Sequence, residues 1–137
     1  MTDESSFDLR GTYLQIADDG SATPIAITKT FWEELTTGGR DISGRWLMGA
    51  GFSKESLPNW DLHPEGECIL LLLSGSIDVI LDEPEGRRAI ELREAGDTSV
   101  VPRGIWHRAI IREPSNRIFL VAGMGTKMRQ LSPDDEP

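Results

Sequence analysis

Between Thr12 and Ala122 the chain offers apolar residues only in short runs, each closed by turn chemistry. Asp18-Asp19-Gly20, Pro84-Glu85-Gly86, Ala95-Gly96-Asp97 and Glu113-Pro114-Ser115-Asn116 cut the runs apart. Such turn signals, recurring about every 8 to 12 residues, mark an all-β sandwich or barrel and leave no room for long helices. Strands are expected at 12–16, 24–28, 45–52, 60–63, 68–73, 77–81, 89–92 and 99–101. A last hairpin is expected from 107–111 and 118–122 about Glu113–Asn116. One short helix fits 30–35, with Thr30 as its cap and Gly38-Gly39 as its stop.

Two of these strands do not alternate. Ile69-Leu70-Leu71-Leu72-Leu73 and Ile118-Phe119-Leu120-Val121 are apolar on both faces, whereas a strand of a lone barrel shows one face to water. Either residues 12–52 cover the outer face or a second copy of the chain does. A homodimer is expected, because an uncovered aliphatic sheet face invites association.

A chain of 137 residues is one domain's worth of protein, able to bury about 68% of its unfolded surface without cross-links. The whole of 1–137 is read as that domain, with loose tails at 1–8 and 132–137. Its 14 basic and 23 acidic residues give a net charge of −9. That balance argues against nucleic acid or an anionic membrane as partner, since both are gripped by clustered Lys and Arg. The single cysteine, Cys68, excludes an internal disulfide and fits a reducing compartment. The acidic start, Met1-Thr2-Asp3-Glu4, lacks the basic and apolar regions of a secretory signal, so a cytoplasmic location is expected. The longest aliphatic run is 69–73, far short of the roughly 20 residues a spanning helix needs.

The only two histidines, His63 and His107, each end a strand-like stretch. Gly96, Pro102, Gly104 and His107 form a glycine, five residues, proline, one residue, glycine, two residues, histidine series. Each element has a mechanical reason: Gly96-Asp97 turns the chain into a strand, and Pro102-Arg103-Gly104 turns it again before His107. This series resembles the second motif of the cupin superfamily at every defining position. The first cupin motif, His-x-His, a short gap, Glu, six residues, Gly, is matched in part. Anchored on Gly75, Asp61 stands at the first histidine, His63 at the second and Cys68 at the glutamate. The resemblance covers about 45–122 and, through Trp60-Asp61-Leu62-His63-Pro64-Glu65-Gly66, looks most like small single-domain cupins. It implies a double-stranded β-helix, or jelly roll, with a ligand cavity, preceded here by an extension of strands.

Strand geometry gathers these side chains. Asp61 and His63, two apart, share a face. A tight turn at Pro64-Glu65-Gly66 would return Cys68 to face them from the neighbouring strand, and His107 would join from the second motif. Two imidazoles and a carboxylate suit a divalent metal with open positions; a thiolate shifts preference toward Zn²⁺. A one-residue bulge would instead bring Glu67 inward in place of Cys68. The expected metal set is therefore His63, His107, Asp61 and Cys68, for Fe, Mn, Zn or Ni. Trp46, Met48, Glu67 and Trp106 are the expected pocket walls. The expected function is a small cupin binding a divalent metal and a small organic ligand, as an enzyme on a carboxylate or enol-type metabolite. The alternative is a metal-free binding or sensing domain without catalysis.

Overall fold

In the computed structural model, described for residues 6–37, 46–122 and 126–135, two long strands carry the architecture. They are β5 (Cys68–Glu83) and β8 (Trp106–Ala122), and they pair antiparallel along nearly their whole length. The other strands are β1 (Thr12–Ile16), β2 (Ala22–Ala26), β3 (Trp46–Ser53), β4 (Asn59–Leu62), β6 (Gly86–Leu92), β7 (Thr98–Val101) and β9 (Lys127–Gln130). The one helix among the described residues, α1, runs Phe31–Thr37; its expected stop at Gly38-Gly39 lies outside them, as does Arg45.

β5 and β8 each serve two sheets. Their halves 68–72 and 117–121 pair in one sheet, ordered β2-β1-β3-β8-β5-β7. Their other halves, 77–82 and 106–111, pair in the second, ordered β9-β4-β8-β5-β6. Between the halves the register shifts at Leu72/Ser74, Ser74/Ser76 and Ser76/Ile77, and there the double strand bends from one sheet into the other. The turn rhythm led to an all-β sandwich or barrel and the cupin resemblance implied a jelly roll; the structure has both.

The bend is built from small residues. Gly75 has φ +94°, and a Cβ there would come within 2.3 Å of both the Pro114 carbonyl oxygen and Ser115 Oγ. Ser115 is fully buried; its Oγ accepts from the Ser76 N–H at 2.9 Å and donates to the Glu113 carbonyl at 2.6 Å. The expected hairpin about Glu113–Asn116 is therefore corrected: those residues form a bend within one continuous strand. Proline and asparagine read as a reversal in isolation. Against the equally bent β5 they relieve only the ladder, because pairing resumes on both sides.

The core fills the space between the sheets: Leu47, Leu72, Ile77, Leu81, Val101 and Val121 are all buried. α1 adds Phe31 and Leu35, laid against Tyr13. Glu34 N–H donates to the Thr30 carbonyl, so Thr30 stands at the helix start as the sequence predicts. β1 and β2 extend the first sheet at its edge, while α1 packs on its inner side. Residues 12–37 and 46–52 thus leave Leu73 and Val100 on the outer face exposed. β9 was not expected from the sequence; Lys127-Met128-Arg129-Gln130 carries too little apolar character to announce a strand, and it forms by pairing with β4. In the segment read as a loose tail, 133–135 makes a 3-10 turn whose Asp135 carboxylate accepts from Arg87. No helix among the described residues is long and apolar enough to cross a membrane.

Candidate metal centre and ligand cavity

A cavity of about 320 Å³ lies between the sheets, and His63, Cys68 and His107 line it together. One ligand atom from each of the three lies within 4.8 Å of the others, and all three residues are buried. The imidazoles sit side by side, ring centroids 5.3 Å apart. His107 comes from the second sheet, where it pairs with Asp61; Cys68 comes from the first, where it pairs with Val101 and Val121. β4 and β5 are not neighbours, so Cys68 faces the histidines across the barrel and not, as expected, from an adjacent strand.

Both imidazoles are oriented from behind. His107 Nδ1 lies 3.2 Å from the Ile105 carbonyl. A carbonyl only accepts, so Nδ1 carries the proton and Nε2 keeps its lone pair. His63 Nδ1 lies 3.0 Å from Thr126 Oγ1, engaging the same nitrogen of that ring. A metal-binding histidine generally has its second nitrogen held this way, which fixes the tautomer and aims the free one. Burial, with His107 alongside, pushes the His63 pKa down to about 3, and burial also lowers that of His107. Both rings are neutral at pH 7, the form that binds metal. Burial, with Asp61 nearby, pushes the Cys68 thiol up to about 12, so without a metal it is protonated. Two neutral imidazoles and one ionisable thiol within reach of each other suit a borderline-soft divalent cation.

The other expected ligands behave differently. Asp61 lines the cavity but stays outside the cluster of three; its Oδ1 accepts from Asn59 Nδ2 at 2.9 Å. Burial raises its pKa to about 6 despite that bond. Glu67 is exposed while Cys68 is buried, so no bulge exchanges them.

None of the four expected pocket walls, Trp46, Met48, Glu67 and Trp106, lines the cavity. The reason is strand parity. Leu47 and Gly49 take the inner positions of β3, which turns Trp46 and Met48 outward; a Cβ at Gly66 would come within 3.3 Å of the Trp46 ring. His107 takes the inner position of β8, which turns Trp106 outward beneath the Arg129 guanidinium, 4.7 Å from its ring.

The walls come instead from residues the sequence did not single out. Tyr13, Trp32 and Phe119 line the cavity, packed edge to face or tilted with centroids 5.1 to 6.1 Å apart. Gly49 makes room for them: a Cβ there would lie 2.5 Å from Phe119 and 2.7 Å from Tyr13. Arg117, also in the lining, lies over Gly51 and donates from Nη1 to Ser53 Oγ at 2.9 Å. Alternation counted back from Val121 would have placed Phe119 and Arg117 inward. The run 118–121, apolar throughout, hid which parity was which.

No family model and no curated protein matches the chain. Among solved structures, Bacillus subtilis oxalate decarboxylase, in a structure described for its Mn(II) centres, aligns with TM-score 0.53 and 16% identity. The alignment covers 63% of this chain and 24% of that one. The fold is that of the cupins. A cupin-2 domain protein from Shewanella frigidimarina aligns over 55% of this chain and 68% of its own, at 16% identity and TM-score 0.47. The EutQ protein of Clostridium difficile aligns over 60% of each chain, at 20% identity and TM-score 0.47. At these identities the likeness concerns the barrel, and function has to be argued from the cavity.

Proposed function

We propose that this cupin binds one divalent metal, Zn²⁺ by preference, through His63 Nε2, His107 Nε2 and Cys68 Sγ. Beside the metal it holds a small organic ligand and acts as a metal-dependent enzyme on a carboxylate or enol-type metabolite. The observation that carries this reading is the convergence of three buried donors within 4.8 Å, their imidazoles already oriented through Nδ1. Three protein donors leave a coordination position for water or ligand, as in catalytic zinc sites. When bound, the metal supplies Lewis acidity toward an oxygen of the ligand. Asp61, with a pKa of about 6, stands in the same cavity as a group able to take or give a proton near neutral pH. The cavity, at the low end of the volume range of small-molecule sites, limits the ligand to a small metabolite. A homodimer through the outer face of the first sheet completes the proposal, supported by the exposure of Leu73 and Val100 there.

The test is metal analysis of tag-free protein equilibrated with Fe²⁺, Mn²⁺, Ni²⁺ or Zn²⁺. Close to one equivalent of Zn²⁺ is expected, falling at least about tenfold in affinity in His107→Ala and Cys68→Ser. Sub-stoichiometric binding of all four ions overturns the proposal. It would favour the second reading, a metal-free binding domain, for which the protonated Cys68 thiol and the Asn59-bonded Asp61 speak.

A further inference from the structure

The cavity has two poles. His63, Cys68 and His107 stand at one, and Arg117 at the other. Val121, the partner of Cys68 in the ladder, is separated from Arg117 by 117–121 of β8, about 13 Å of extended strand. The Arg117 guanidinium is directed further away still. It crosses Gly51 to reach Ser53, at the end of β3 toward the bend. Between the poles the inner face of β8 carries only Phe119 on one side and Ala109 and Ile111 on the other.

Among the described residues Arg117 has no carboxylate as counter-charge. Its bond to Ser53 Oγ is to a neutral group, and among the described residues no carboxylate forms an ion pair with it. Glu55 lines the cavity from an exposed position without pairing to it, and Asp8, across the strand, is occupied by Arg10. Burial lowers the Arg117 pKa and outweighs the opposing effect of the Tyr13 phenol, the sign of a cation partly withdrawn from water. A guanidinium so placed beside an apolar chamber suits an anionic ligand. Its planar fork fits a carboxylate with two parallel hydrogen bonds, and one such fork balances a monoanion better than a phosphate dianion.

We infer that Arg117 is the carboxylate-binding residue of the cavity, taking the anionic end of a small aryl or alkyl carboxylate. The apolar body of that ligand lies against Tyr13, Trp32 and Phe119, so its far end, and not its carboxylate, approaches His63, Cys68 and His107. This rests on the cavity being the ligand site, but not on metal being bound there.

Calorimetric titration with phenylacetate and hexanoate, each against its own amide, tests the inference in zinc-loaded and chelator-treated protein. Each acid should bind about ten- to a hundredfold tighter than its amide in both forms. Arg117→Met should bring acid and amide to equal affinity with zinc content unchanged, and Arg117→Lys should retain most of the preference. The amide's own affinity reports whether the variant cavity is intact; if Arg117→Met does not fold, Arg117→Gln gives the same readout. Failure of any acid to bind, equal binding of acid and amide, or a preference that survives Arg117→Met overturns the inference. So does a preference lost on chelation, which would put the carboxylate on the metal. Retained preference in a protein that takes up no zinc overturns the metal proposal alone.

Discussion

At Cys68 one side chain sets how the site answers to pH. Its thiol is held near pKa 12 by burial, while His63 is already neutral down to about pH 3. Between pH 7 and 9 the histidines therefore have no proton to lose, and Asp61, with a pKa of about 6, is ionised. At the proposed centre, metal binding in that window would displace one proton, from Cys68, so zinc affinity should rise about tenfold per pH unit. In Cys68→Ser the competition experiment with a chromophoric chelator should give a slope close to zero. A wild-type slope near zero would mean that the thiol is not a ligand. Asp61 illustrates a different residue-scale outcome. Its position on the face of His63 follows from strand period alone, yet its carboxylate accepts from Asn59 and lies outside the cluster of three.

Among the elements, the paired bend of β5 and β8 does most to shape the cavity, since it carries both long strands from one sheet to the other. Gly75 is the residue that permits it. Alanine there would combine a left-handed φ with overlap on the backbone of Pro114 and Ser115, neither of which is a movable side-chain end. Gly75→Ala should cost about 3 kcal/mol, a fall of about 10 °C in Tm by calorimetry. A loss below about 1 °C would mean that the bend rests on other residues. The glycine was legible as a motif position, but the bend was not. Its partner segment 113–116 has the composition of a reversal, and only the pairing with β5 turns it into a corner.

For the molecule as a whole the remaining question is the outer face of the first sheet. Val100 and Leu73 are about half exposed, and Ile69, Leu71, Ile118 and Leu120 around them are only partly covered. In the proposed homodimer this is the surface that a second copy buries. Sedimentation should give a dimer for the native chain and a monomer for the double substitution Leu73→Asp, Val100→Asp, with the melting temperature then independent of protein concentration. A native monomer at micromolar concentration would exclude it.

The sequence by itself determined the strand rhythm, a motif at Gly96, Pro102, Gly104 and His107 whose resemblance to the cupins implied the jelly roll, and the placing of His63 and His107 at the ends of strand-like stretches. These are local properties: turn conformations and period-two alternation are written in neighbouring residues. Only the tertiary structure decided that Cys68 and not Glu67 joins the histidines, and that Asp61 stands apart. It also decided that Trp46, Met48 and Trp106 point outward, and that Tyr13, Trp32, Phe119 and Arg117 build the walls. Those outcomes depend on which face of each strand meets the other sheet, and in strands apolar on both faces that parity is fixed by contacts between distant segments.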